Sequence, residues 1–130
     1  MTLLELADRW EAANGPDREL DAEIARAVGL RIQSVDVGAA LDRTELRWID
    51  GASARAIPAY TKSFGAVLSL VPEGMRFEVG TWDEYPNATA VVAGLTSMSP
   101  HFYGAAVEVE HALGAAILRA QASQEADRGW

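Results

Sequence analysis

The strongest constraint on this chain is the stretch 57–74, Ile57-Pro58-Ala59-Tyr60-Thr61-Lys62-Ser63-Phe64-Gly65-Ala66-Val67-Leu68-Ser69-Leu70-Val71-Pro72-Glu73-Gly74, a helical period set between two regions of period two. Pro58 keeps the residue before it extended, and Thr61 or Ser63 can cap the helix that follows. Phe64, Val67, Leu68 and Val71 recur at helical spacing and predict one buried stripe, which Pro72-Glu73-Gly74 closes in a turn. Beyond the turn, Met75, Phe77 and Val79 alternate with Arg76, Glu78 and Gly80, the pattern of a half-buried strand. Its expected partner is 88–93, across the connection Asp83-Glu84-Tyr85-Pro86-Asn87.

The remaining elements follow from their punctuation. Thr2-Leu3-Leu4-Glu5 has the form of a capping box, with Leu3, Leu6, Ala7, Trp10 and Ala13 behind it at helical spacing and Asn14-Gly15-Pro16 as the stop. Pro16 as first helical residue, with Asp17 and Glu19 at the positive end of the dipole, predicts a second helix ended by Gly29. Its apolar stripe is Leu20, Ile24, Ala27 and Val28, and Arg18, Asp21, Glu23 and Arg26 read as a solvated face. Strands are expected over 30–37, 45–49 and 54–57, with Asp50-Gly51-Ala52-Ser53 as a hairpin turn. The run 95–104 has no period, and Ser99-Pro100 offers a cap and first residue for a last helix. That helix is expected to reach about residue 122 and to bury Val109, Leu113, Ala116, Ile117 and Ala120, its alanines allowing close approach.

This order, ααββ(β)αββα, predicts a compact α+β domain over 1–122, with 123–130 as a flexible tail. Helices packed on an antiparallel or mixed sheet of about four to five strands fit it better than a parallel βαβ array. With 130 residues the chain is long enough for one core. It has no cysteine, which excludes disulfides and thiolate chemistry. The first residues are acidic rather than a basic leader, and the apolar run 64–72 is far shorter than the ~20 residues of a membrane span. A cytoplasmic protein without membrane contact is expected. The net charge of −8 argues against binding extended nucleic acid, because phosphate binding accumulates Lys and Arg.

Catalytic signatures are missing. There is no Gly-x-Ser-x-Gly elbow, Walker A motif or Gly-x-Gly-x-x-Gly run, and the chain is expected to bind rather than catalyse, with no cofactor. Glu108-Val109-Glu110-His111 has the Glu-x-x-His spacing of di-iron bundles without the second copy such a site needs, so it reads as an exposed pair and no metal is expected. Asp83-Glu84 reads as a polar loop. Arginines and aromatics do gather near expected strand ends: Arg47 beside Trp48, Arg55, Tyr60, Thr61, Arg76, Trp82, His101 and Tyr103. Arginine forks hold phosphates and aromatic faces stack on bases, so Arg47, Arg55, Tyr60, Thr61, Arg76, Trp82, His101 and Tyr103 are the candidate ligand-binding residues. Tyr60 and Thr61, at the mouth of the central helix, are placed where backbone N–H groups can receive an anion.

Arg18-Glu19-Leu20-Asp21-Ala22-Glu23-Ile24-Ala25, followed some forty residues later by Pro58-Ala59-Tyr60-Thr61-Lys62-Ser63, resembles small phage and prophage proteins of the phage alpha-beta-alpha sandwich type. The shared order covers most of 14–122, with Pro16-Asp17 before Arg18 and a longer 94–104 loop as departures. The resemblance assigns no binding residue. Through a looser similarity to phage immune-signal sponges, it implies a non-enzymatic homo-oligomer that sequesters a cyclic nucleotide or ADP-ribose-type signal in an infected or lysogenic bacterial host. The alternative is a phage structural or accessory protein acting through protein contacts.

Overall fold

A computed structural model describes residues 2–38, 43–81, 88–95 and 99–128. The α+β order is there, but the strands form two antiparallel three-stranded sheets rather than one. Helices α1 (Leu3–Ala12) and α2 (Arg18–Ala27) precede β1 (Ile32–Gly38), β2 (Arg43–Asp50) and β3 (Ser53–Ala56) of the first sheet. The short α3 (Phe64–Leu68) leads to β4 (Met75–Thr81), β5 (Ala88–Gly94) and β6 (His101–Ala106) of the second, and α4 (Val109–Arg128) completes the order.

The core is organised around α4. Residues 111–118 of this helix are all buried, so it is enclosed on every side rather than laid on a surface by one stripe. On one side it packs against β5 and β6, and on another against α1. Small residues set how closely these layers meet. Ala112, Ala115, Ala116 and Ala120 are fully buried along α4. A Cβ on Gly104 would run into the backbone carbonyl of Ala112, and one on Gly114 would run into the Trp10 ring. Trp10 is itself fully buried, so the missing side chain at Gly114 makes the notch that receives the largest residue of α1.

Several expectations are corrected. Pro16 is not the first residue of α2, which begins at Arg18 with Asp17 as its cap: Asp17 is extended and its carboxylate accepts from the Leu20 N–H at 3.1 Å. Ser63 caps α3, accepting from the Ala66 N–H at 3.2 Å, but the helix ends at Leu68 and only Val67 of the expected stripe is buried. The Ser69 hydroxyl donates to the Ala66 carbonyl at 2.6 Å, while Leu70 and Val71 turn back to bond Val67 and Leu68, tightening the chain out of the α-helix. Ser99-Pro100 starts no helix; the strand β6 follows instead. Its inward residues Phe102, Gly104 and Ala106 are mostly small, which hides the alternation of period two. The last helix runs on to Arg128, past the expected end near 122.

Replacing Gly104 by alanine is expected to force β6 off α4 and destabilise the protein by about 2–3 kcal/mol. Urea unfolding followed by circular dichroism measures it, and an unchanged midpoint would refute the close packing.

Candidate functional site

Three buried polar side chains are joined in one hydrogen-bonded network. Among the described residues Asp21, Thr61 and His111 are the buried polar or charged ones, from α2, the 57–63 segment and α4. The sequence pattern puts Asp21 on a solvated face, yet it is 1% exposed. One of its carboxylate oxygens accepts from the Thr61 N–H at 2.7 Å and from the Thr61 hydroxyl at 2.8 Å. The other accepts from Arg18 at 2.8 Å, and Arg18 also donates to the Ile57 carbonyl at 2.9 Å. The Thr61 hydroxyl in turn accepts from the Asp17 N–H at 2.8 Å. A buried carboxylate survives only when its charge and lone pairs are met in this way.

Thr61 also passes the contact on to α4. Its carbonyl lies 2.8 Å from His111 Nε2, and because a carbonyl only accepts, that nitrogen carries the shared proton. Glu108 Oε2 lies 3.7 Å from the same nitrogen. His111 is therefore fully buried rather than half of an exposed pair with Glu108, and its Nδ1 has no partner among the described residues. Tyr60, next to Thr61, meets Trp10 edge to face with ring centroids 6.5 Å apart. Burial, and after it the nearby Asp21 carboxylate, push the Tyr60 phenol above its ordinary pKa.

These bonds settle what two of the candidate residues touch. Tyr60 and Thr61 are buried, and the anion that the Thr61 N–H receives is the chain's own Asp21 carboxylate. Arg47 and Arg55 sit on the first sheet. Arg47 pairs with Glu45 at 2.6 Å; Arg55 pairs with Asp50 at 3.1 Å and lies 5.8 Å above the centre of the Trp48 ring. In the β2–β3 register Arg47 faces Ala56 and Trp48 faces Arg55, so the two arginines are on opposite sides of that sheet. Trp82 lies outside the described residues, as do Asp83 and Glu84.

Arg76, His101 and Tyr103 do come together. In the second sheet Ala93 is the register partner of both Arg76 and His101, and Val91 of both Glu78 and Tyr103. All six lie on the side of the sheet away from α4. His101 and Tyr103 stack with ring centroids 6.4 Å apart and planes 20° from parallel, and Tyr103 is 66% exposed. This outer face has Arg76 and Glu78 along one side and two stacked rings along the other, with Val91 half-buried and Ala93 buried between them.

A cavity of about 380 Å³ opens elsewhere, between the start of α2 and the first sheet, where Arg18, Glu19, Glu45, Arg47 and Ile57 line it. Its size suits a small ligand. Its two arginines already hold carboxylates, and Glu19 and Glu45 oppose an incoming anion. No group of three or more His, Asp or Glu side chains placed to hold a metal ion occurs among the described residues, and none of the described helices is long and apolar enough to cross a membrane. No protein family, curated protein or solved structure matches the chain.

A second polar cluster ties α4 to α1 and β6. Arg119 of α4 grips both oxygens of Glu11 at 2.6 and 2.7 Å, and reaches Asp8 at 2.8 Å and the Tyr103 carbonyl at 2.7 Å. Glu11 also accepts from the Ala105 N–H at 2.7 Å. Burial alone would raise the Glu11 pKa, but the bonds from Arg119 and Ala105 and the Arg119 charge outweigh it and leave it below its ordinary value.

Two outcomes follow. Asp21→Ala strips Thr61 of its acceptor and is expected to cost about 3 kcal/mol of stability in urea unfolding, because one partner of a buried network is removed. A depressed carboxylate stabilises the fold above its unfolded pKa and loses that contribution as pH falls through the folded value. Stability should therefore decline on acidification through the lower carboxylate range, and Glu11→Gln should flatten that part of the profile when unfolding is measured at stepped pH.

Proposed function

We propose that this protein is a non-enzymatic, phage-encoded accessory protein of the host cytoplasm, acting through protein contacts on the outer face of its second sheet. One observation carries the reading. The interior polar groups Asp21, Thr61 and His111 hold the elements together, and three of the accessible candidates, Arg76, His101 and Tyr103, share the outer face of the second sheet, while Arg55 is exposed on the first. Tyrosine and arginine over small apolar residues are the composition of interface centres, and an open face suits a macromolecule better than a small ligand, which needs a concave site. The acidity of −8 would speed encounter with a basic partner.

A second reading is the signal sponge. It draws support from Arg76 across Ala93 from His101, on which Tyr103 stacks, a cation and ring faces of the kinds that hold a phosphate and a planar base. The two readings separate in one comparison of wild type with Tyr103→Ala and Arg76→Ala. The accessory reading expects affinity capture from infected cells to recover one dominant protein, with recovery reduced about tenfold by Tyr103→Ala. The sponge reading expects native mass spectrometry and calorimetry against cyclic oligonucleotides and cyclic ADP-ribose isomers to find an unmodified nucleotide that Arg76→Ala releases. Turnover of any such ligand would overturn both.

A further inference from the structure

Two three-stranded sheets leave four strands with an unpaired side, and each such edge is a template for another chain unless something blocks it. Three of the four are managed. Along β6, Glu11 accepts from the Ala105 N–H and Arg119 donates to the Tyr103 carbonyl, taking two groups that a further strand would use. The register of β1 shifts between Asp36 and Gly38, and β3 is four residues long.

The fourth edge, β4, has none of these devices. Its seven residues run in unbroken register with β5; the Met75 N–H at its start donates to the Pro72 carbonyl at 3.1 Å, and beyond that, among the described residues, no strand or hydrogen-bonding side chain meets its other side. Met75, Phe77 and Val79 are on the α4 side of the sheet, but α4 lies mainly over β5 and β6. Phe77 and Val79 consequently stay 37% exposed at the rim.

The sequence of this strand is self-complementary in charge about Phe77. Arg76 and Glu78 flank it on one face of the sheet, and Met75 and Val79 stand two residues to either side of it on the other. We propose that β4 pairs antiparallel with β4 of a second copy of this chain, about a two-fold axis at Phe77, to form a continuous six-stranded sheet. In that register Arg76 of each copy stands opposite Glu78 of the other, Phe77 opposite Phe77, and Met75 opposite Val79.

Neighbouring registers fail on the same residues. A shift by one residue sets apolar side chains against charged ones, and an axis at Arg76 or Glu78 sets like charges face to face. Such pairing puts both α4 helices on one side and joins the two outer faces on the other. It does not depend on what those faces bind, since its test reads only self-association.

The test compares the full chain with Arg76→Glu, Glu78→Arg and the double exchange. Both residues are exposed and, among the described residues of one chain, their side chains bond each other, at 3.3 Å, so the variants should keep the wild-type circular dichroism. Native mass spectrometry and sedimentation equilibrium at about 50 μM should give twice the 14.0 kDa chain mass for wild type. Each single exchange opposes like charges at two symmetric points and should weaken the dimer at least ~10-fold, and the double exchange should restore it. Mixing the two single variants should yield a heterodimer, because Arg76→Glu leaves acids at both positions of its strand, Glu78→Arg leaves bases at both, and each acid then meets a base. A monomeric wild type, a dimer indifferent to both single exchanges, or a mixture that stays monomeric would each overturn the proposal.

Discussion

The fold depends on a single carboxylate taken out of water. Asp21 has to be met by donors from elsewhere in the chain, and meeting them fixes the geometry of everything nearby. Arg18 neutralises it from one turn earlier in α2, while Thr61 supplies an N–H and a hydroxyl from a segment forty residues away. Thr61 is then held so that its carbonyl reaches His111, and the helix that forms the core is anchored at its first turn. A hydrophobic substitute could fill the same volume, but it would not say which way α2 must point. Direction is what hydrogen bonds add to packing.

That anchoring also explains why there are two sheets. After β3 the chain dives through Ile57, Tyr60 and Thr61 into the interior, and it emerges through α3 on its way to β4. The strands on either side of the dive are thereby kept from pairing. The second sheet then finds its cover in α4, whose alanines and Gly114 let a strand and a tryptophan approach the helix backbone. The chemistry left at the surface follows from the same economy of space: the outer face is the part of the second sheet that no helix reaches.

How far all this can be read in the sequence depends on the range of the interactions involved. Caps and turns are local, and Thr2, Ser63 and the Asp50-Gly51 turn are where their residue types put them. Strand β4 is legible because its alternation is undiluted. By contrast β6 hides behind Gly104 and Ala106, residues chosen for what α4 needs and not for what a strand prefers. Asp21 looks like part of a solvated face because nothing nearby in the sequence shows that Thr61 will meet it. The motifs Arg18-Glu19-Leu20-Asp21 and Pro58-Ala59-Tyr60-Thr61 can be seen as a pair in the sequence, but the reason for the pair is a contact across forty residues. For the same reason the eight candidate site residues look like one group: proximity to strand ends says nothing about which sheet, or which side of it, a residue occupies.

The position of α4 in the chain has a kinetic consequence. The grip of Arg119 on Asp8 and Glu11 joins residues more than a hundred positions apart, and the notch for Trp10 is at Gly114. As the polypeptide leaves the ribosome, α1 and the second sheet are exposed before the helix that will cover them exists. Contacts of this span are slow to close, so the nascent chain must pass through a stage with its apolar surfaces open and the β6 edge not yet stoppered. Completion of the core is thus an event after synthesis of the last helix, and in a crowded cell the chain is most vulnerable just before it.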